Sequence, residues 1–150
     1  MAIDVKLIKQ LRDETKASIA DCRKALEETN GDYKKALTWL KQHGMEKAEK
    51  KTDRETSQGL VEAYIHQNGK VGVLVEILCE TDFVARTDDF KRLAHEVAMQ
   101  VAAMNPKNVD TLLKQEYIRD GSVTIEQLVK QTIGTLGENI VIKKIIRFEI

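Results

Sequence analysis

The 150-residue chain is short of several things at once. It has no net charge, because 24 Lys and Arg are matched by 24 Asp and Glu. That balance argues against a protein held to nucleic acid by bulk electrostatics, which carries a basic excess. It leaves room for a local basic patch. No apolar run approaches the roughly 18 residues of a membrane span. There is one proline, Pro106, and there are two cysteines, Cys22 and Cys79, with no CxxC and no HxxxH spacing. A zinc site needs three or four clustered ligands, and none is implied. The eight glycines are scattered turn and cap residues, not a phosphate-cradling loop. Internal repeats and low-complexity segments are absent. Met1 to Lys6 lacks the layout of a signal peptide and is too acidic for a transit peptide. A cytoplasmic protein is expected, with Cys22 and Cys79 reduced and in separate units.

What is present is globular, at 42% hydrophobic and 32% charged residues. Residues 1–44 read as three short helices. Asp4 can cap the first, with Val5, Ile8 and Leu11 on one face. Ile19, Cys22, Ala25 and Leu26 mark the second, and Asn30-Gly31 stops it. Asp32 caps the third, with Tyr33, Ala36, Leu37 and Leu40 on its apolar face and Trp39 read as core. His43-Gly44 is expected to end it. So small a core is marginal alone and often exists to dock on something. Residues 45–58 read as a charged linker or solvated helix.

Residues 59–150 read as strand, strand, helix, helix, strand. Asn68-Gly69 is a hairpin signal between the strands Gly59–His66 and Val71–Cys79. The second strand carries large hydrophobes on both faces, so it is expected to be central and at least partly covered on both. Phe90, Leu93, Ala94, Val97, Ala98, Val101 and Ala102 follow a helical period up to Pro106. Thr124 and Gln127 form a capping box for the last helix, which Gly137 ends. The final strand, Asn139–Ile150, is expected to turn Ile140, Ile142, Ile146, Phe148 and Ile150 to one face. The fold class expected is α+β, with a small antiparallel three-stranded sheet packed with helices.

Catalytic chemistry finds little support. Cysteine catalysis needs a thiolate beside a histidine, and the spacing pairs neither cysteine with His43, His66 or His95. Lys47, Lys50, Lys51 and Arg54 could touch phosphate, or form a solvated face balanced by Glu46, Glu49 and Asp53. Thr81-Asp82-Phe83-Val84 ends the most hydrophobic run of the chain. A carboxylate and a phenyl ring at the edge of a rigid strand make a small protruding wedge. The alternative is bland: Asp82 as a helix cap and Phe83 as a core plug.

Tyr64 to Glu76 followed by Cys79-Glu80-Thr81-Asp82-Phe83-Val84-Ala85-Arg86 resembles the signature of bacterial elongation factor Ts. That family is the guanine-nucleotide exchange factor of the GTPase elongation factor Tu. Leu11-Arg12 through Asp21-Cys22-Arg23-Lys24-Ala25-Leu26, with Asn30-Gly31-Asp32, resembles its ubiquitin-associated-like N-terminal domain. Two further matches are Ala98 to Pro106 and Gly137-Glu138-Asn139-Ile140-Val141-Ile142 with Ile146-Arg147-Phe148-Glu149. The resemblance implies a three-helix domain at 1–44, a linker at 45–58 and a dimerisation-type core at 59–150. It implies that Thr81, Asp82, Phe83 and Val84 disturb the magnesium site of elongation factor Tu. It implies N-terminal docking through Leu11, Arg12, Ile19, Ala20, Asp21 and Cys22. No covalent chemistry, cofactor, direct nucleic-acid contact or membrane is implied, and a homodimer is left open. The chain departs from the family between Pro106 and Thr124, where 17 residues stand in place of a long helical insertion. A rival reading is a binding module for ubiquitin-like or chaperone partners; a thiol enzyme centred on Cys79 is a more distant one.

Overall fold

Three helices open the chain in the computed structural model, which describes residues 2–150. They are α1 (Val5–Thr15), α2 (Ile19–Glu28) and α3 (Tyr33–Glu49). The side chains of Asp4, Ser18 and Asp32 accept the free backbone N–H groups at their N-termini. Leu11, Cys22, Ala25, Leu26, Ala36 and Leu40 are buried together at their centre. Val5, expected on the inner face, is exposed.

Helix α3 does not end at Gly44. It runs on to Glu49 and buries Ala48 in the larger core of the chain. The reason lies 90 positions away. A Cβ on Gly134, in the last helix, would sit 2.6 Å from both the Cα and the carbonyl oxygen of Gly44. Gly44 and Gly134 therefore meet where two helices cross backbone against backbone, a close approach that requires glycine at position 134. The favourable contact offsets its low helix propensity, about 1 kcal/mol relative to alanine.

The rest of the chain builds the sheet β1 (Gln58–Ile65), β2 (Val71–Cys79) and β5 (Ile140–Glu149), in the order β1-β2-β5 with both pairings antiparallel. Between β2 and β5 lie α4 (Asp82–Ala85), α5 (Asp88–Met104), α6 (Val109–Lys114), the small hairpin β3 (Glu116–Tyr117) and β4 (Asp120–Thr124), and α7 (Ile125–Leu136). The α+β class and the central position of β2 are as expected. Val73, Val75, Ile77 and Cys79 point into a core shared with Phe90, Leu93, Val97 and Val101 of α5 and Ile125, Val129 and Ile133 of α7. The capping box of Thr124 and Gln127 is formed, and Gly137 closes α7 at φ 79°.

The second face of β2 is partly covered, as expected: Glu76 and Leu78 are half-buried there, while Leu74 is exposed, as are Val61 and Ile65 on β1. One expectation about the sheet fails. The final strand does not keep one apolar face. A β-bulge opposite Glu76/Ile77 adds a residue on β5, so Ile140 and Ile142 point inward while Ile146 and Phe148 point to solvent. One extra residue inverts every later side chain, because the strand period is two. Ile145 takes up the inward direction instead.

The β3–β4 hairpin was not foreseen. Fully buried Gln100 of α5 holds it, donating to the Gln115 side chain and the Glu116 carbonyl and accepting from the Ile118 N–H. Among the described residues, every buried side-chain nitrogen and oxygen has a hydrogen-bond partner.

Candidate functional site

The wedge turn is built by the end of β2. The Thr81 hydroxyl accepts the Val84 N–H at 3.3 Å and so caps α4. Ala85 is buried and Val84 packs on the core. In one helical turn, if two successive residues face inward, their neighbours must face out. Asp82 and Phe83 do so, and the Phe83 ring is 76% exposed. It is not a core plug. Thr87 stiffens the far side: its N–H and hydroxyl both donate to the Val84 carbonyl, at 3.0 and 2.7 Å, and its hydroxyl caps α5. Asp82 lies 3.0 Å from Arg86 one turn on, an exposed pair that contributes little stability.

Behind the turn, side chains extend the β2–β5 ladder. The last paired residues are Cys79 and Ile140. One step further, Glu80 accepts the Asn139 N–H at 2.6 Å. A second step on, Glu138 accepts the Thr81 N–H at 2.9 Å and the Thr81 hydroxyl at 2.7 Å. The Asn139 amide donates to the carbonyls of Thr52 and Arg54, in the segment that follows α3. Arg54 also faces Glu80 at 3.6 Å. These contacts were not anticipated. Glu138 and Asn139 lie 57 residues or more from their partners, so only strand register brings them together.

The cysteines are structural in their surroundings. Cys79 is buried, donates to the Thr81 carbonyl at 3.1 Å, and has its thiol pushed up by burial and then by the charge of Glu138. Burial likewise raises Cys22. A raised thiol pKa is the reverse of what a nucleophile needs.

The six residues of the N-terminal group separate by burial. Leu11 and Cys22 are completely buried, Ile19 is exposed, and Arg12 and Ala20 lie on the surface. Asp21 faces α3, 2.7 Å from Lys47 and 3.5 Å from His43. Burial pushes its carboxyl up, but hydrogen bonds from Lys47 and Ser18 and the charges of Lys47 and His43 outweigh this and hold it below the usual carboxylate range. Asp21 also lines a cleft of about 820 Å³ between the three-helix unit and the core, across from Arg92, Glu96 and Arg119. None of Thr81 to Val84 lines that cleft.

Fold and site together define a two-core α+β protein that presents its most exposed aromatic side chain, among the described residues, on a capped and buttressed turn. Residues 80–150 match the family model described as Elongation factor TS. Elongation factor Ts of Coprothermobacter proteolyticus is 45% identical, covering 99% of this chain and 98% of its own length. Those of Oleidesulfovibrio alaskensis and Rippkaea orientalis are 41% and 42% identical, covering 99% and 97% of this chain and 98% and 77% of their own lengths. The chain belongs to the elongation factor Ts family, and its role is that of a translation elongation factor. The first of these alignments runs over 193 positions, so that relative holds residues without a counterpart here. No helix among the described residues is long and apolar enough to cross a membrane.

Proposed function

We propose that the chain binds elongation factor Tu in its GDP form and speeds GDP release without covalent chemistry, after which GTP rebinds. The observation that carries this reading is the exposed Phe83 ring beside the Asp82 carboxylate on a rigid turn. Exposing a phenyl ring forgoes about 1.5–3 kcal/mol of burial. Thr81, Asp82, Phe83 and Val84 form one wedge, in which Val84 anchors while Asp82 and Phe83 intrude. Magnesium bridges nucleotide phosphates and protein oxygens, so disturbing its coordination weakens the hold on GDP. A ring entering a packed pocket selects between discrete arrangements. The coupling is reciprocal: GDP weakens the factor's binding by the ratio in which the factor weakens GDP.

The N-terminal unit, residues 1–44, is the second docking element of this reading. Ile19, Ala20 and Arg12 form its contact surface, Leu11 and Cys22 hold that surface from within, and Asp21 ties it to α3. Such a factor works in the cytoplasm with its GTPase. The test is release of a fluorescent GDP analogue from elongation factor Tu. The intact chain should accelerate it strongly, and Phe83→Ala should lose most of that effect with its circular dichroism unchanged. Equal acceleration by the variant would remove the wedge. Binding without acceleration by the intact chain would favour the binding-module reading.

A homodimer has one observation in its favour. The partly covered face of the sheet exposes Val61, Ile65, Leu74, Ile146 and Phe148 side by side, and contiguous apolar surface of that kind marks an interface. Sedimentation should give twice the chain mass, reduced to one chain mass by Phe148→Glu. A monomer at all concentrations would dismiss it.

A further inference from the structure

We propose that Glu138 is a positioning residue for the wedge, acting through Thr81. This deepens the exchange-factor reading and rests on it. Beyond the Cys79–Ile140 pair, the backbones of the two strands no longer bond each other. A strand end of that kind is free to fray, and a wedge on a fraying end cannot hold a ring in register with a pocket. Here the carboxylates replace the missing ladder bonds in a crossed arrangement. Glu80 of the first strand takes the Asn139 N–H, and Glu138 beside the second takes the Thr81 N–H.

The Thr81 hydroxyl is the link that reaches the ring. It donates to Glu138 at 2.7 Å and accepts the Val84 N–H at 3.3 Å. A hydroxyl has one proton and two lone pairs, so both bonds are made at once. Donating to Glu138 fixes the hydroxyl rotor, and the fixed rotor aims a lone pair at the first turn of α4. Glu138 thereby sets the direction in which Asp82 and Phe83 leave the sheet. Asn139 supplies the second strut. Its side-chain amide grips the carbonyls of Thr52 and Arg54, so the segment leaving α3 is fastened to the base of the wedge. The segment after α3 and the base of the wedge thus share one hydrogen-bonded anchor.

The test compares four forms of the full chain: wild type, Glu138→Ala, Glu138→Gln and Phe83→Ala, with the double variant Glu138→Ala/Phe83→Ala. Each is measured for maximal GDP release from elongation factor Tu, for affinity and for thermal midpoint. Glu138→Ala should lower the maximal release rate about tenfold, the worth of a hydrogen bond to a charged group. Glu138→Gln should recover only part of it, because its amide oxygen can accept the Thr81 N–H while its NH2 cannot accept the hydroxyl proton that fixes the rotor. The double variant should be no slower than Phe83→Ala, because Glu138 acts only through the placement of that ring. In ring-labelled phenylalanine spectra, Glu138→Ala should broaden or shift Phe83 and leave Phe90 and Phe148 in place. If Phe83→Ala speeds GDP release as well as wild type does, the wedge reading itself falls. If Phe83→Ala is defective while Glu138→Ala matches wild type, or if the two losses multiply, the positioning role alone is overturned.

Discussion

The two cores of this chain earn their stability differently. The three-helix core buries six hydrophobic residues among those described, of which only Leu11, Leu26 and Leu40 are large. The core beneath the sheet buries three times as many, with Phe90 at its centre. Small cores are marginal when isolated. This one is not isolated, because α3 belongs to both: Ala36 and Leu40 face the first core, Ala48 the second. A helix that continues through Gly44 lends the weaker unit the stability of the stronger. The contrast teaches that a small docking unit is kept folded by sharing an element rather than by enlarging its own core.

The largest expected effect comes from the stronger side. Phe90→Ala should cost about 3–5 kcal/mol through the cavity it leaves. For a chain of this size, that lowers the thermal midpoint by roughly 10 °C or more in calorimetry. Leu26→Ala should cost about 2–5 kcal/mol locally. In hydrogen exchange it should release the amides of α1 and α2 while those of β2 and β5 stay protected. Equal release in both units would mean that α3 makes the chain one cooperative body, and the contrast would collapse.

Gly134→Leu sharpens the same point at the seam. Any Cβ there meets the Gly44 backbone at 2.6 Å, so the helices must part. Overpacking of this kind costs about 1–3 kcal/mol. A distance measured between labels on α2 and β1 should lengthen or broaden in the variant. An unchanged distance would mean that the crossing does not set how the two cores sit.

The smallest effect is a pH dependence confined to the weaker unit. The Asp21 carboxyl is held low in the folded chain, from an ordinary value of 3.8. A depressed folded value gives stability that is fully present above the unfolded value and disappears as pH falls through the folded one. Below about pH 4, α2 should therefore lose its tie to Lys47 and His43. Asp21→Asn should show a shallower acid-side loss in urea midpoints followed by helical circular dichroism. Parallel acid limbs for both proteins would contradict it.

Local chemistry made most elements legible. Caps at Asp4, Asp32 and Thr124, the Asn68-Gly69 turn and the unbroken period from Phe90 to Ala102 each depend on residues a few positions apart. What escaped depends on distant partners. Gly44 carries the mark of a helix end unless Gly134 is known to face it. The inverted half of β5 follows from one bulged residue that no alternation reveals. The exposed Phe83 was readable as a wedge because a strand ended there, but its buttress was not. Glu138 and Asn139 look like an ordinary turn residue and an ordinary strand start until strand register sets them against Thr81 and Glu80. The residues of the site were visible in sequence where they present themselves outward, and invisible where they support from behind.

The β3–β4 hairpin has a consequence for how a chain of this kind changes length. Gln100 pins its backbone, and Glu96 takes bonds from Tyr117 and Arg119 at the turn. The first stem and the turn are thus fixed to α5, and the second stem is held by its pairing with the first. Lengthening a loop between fixed stems costs only about 0.6 kcal/mol per doubling. A lineage could gain or shed a whole segment at this turn while the sheet, the wedge and the helix crossing stayed as they are.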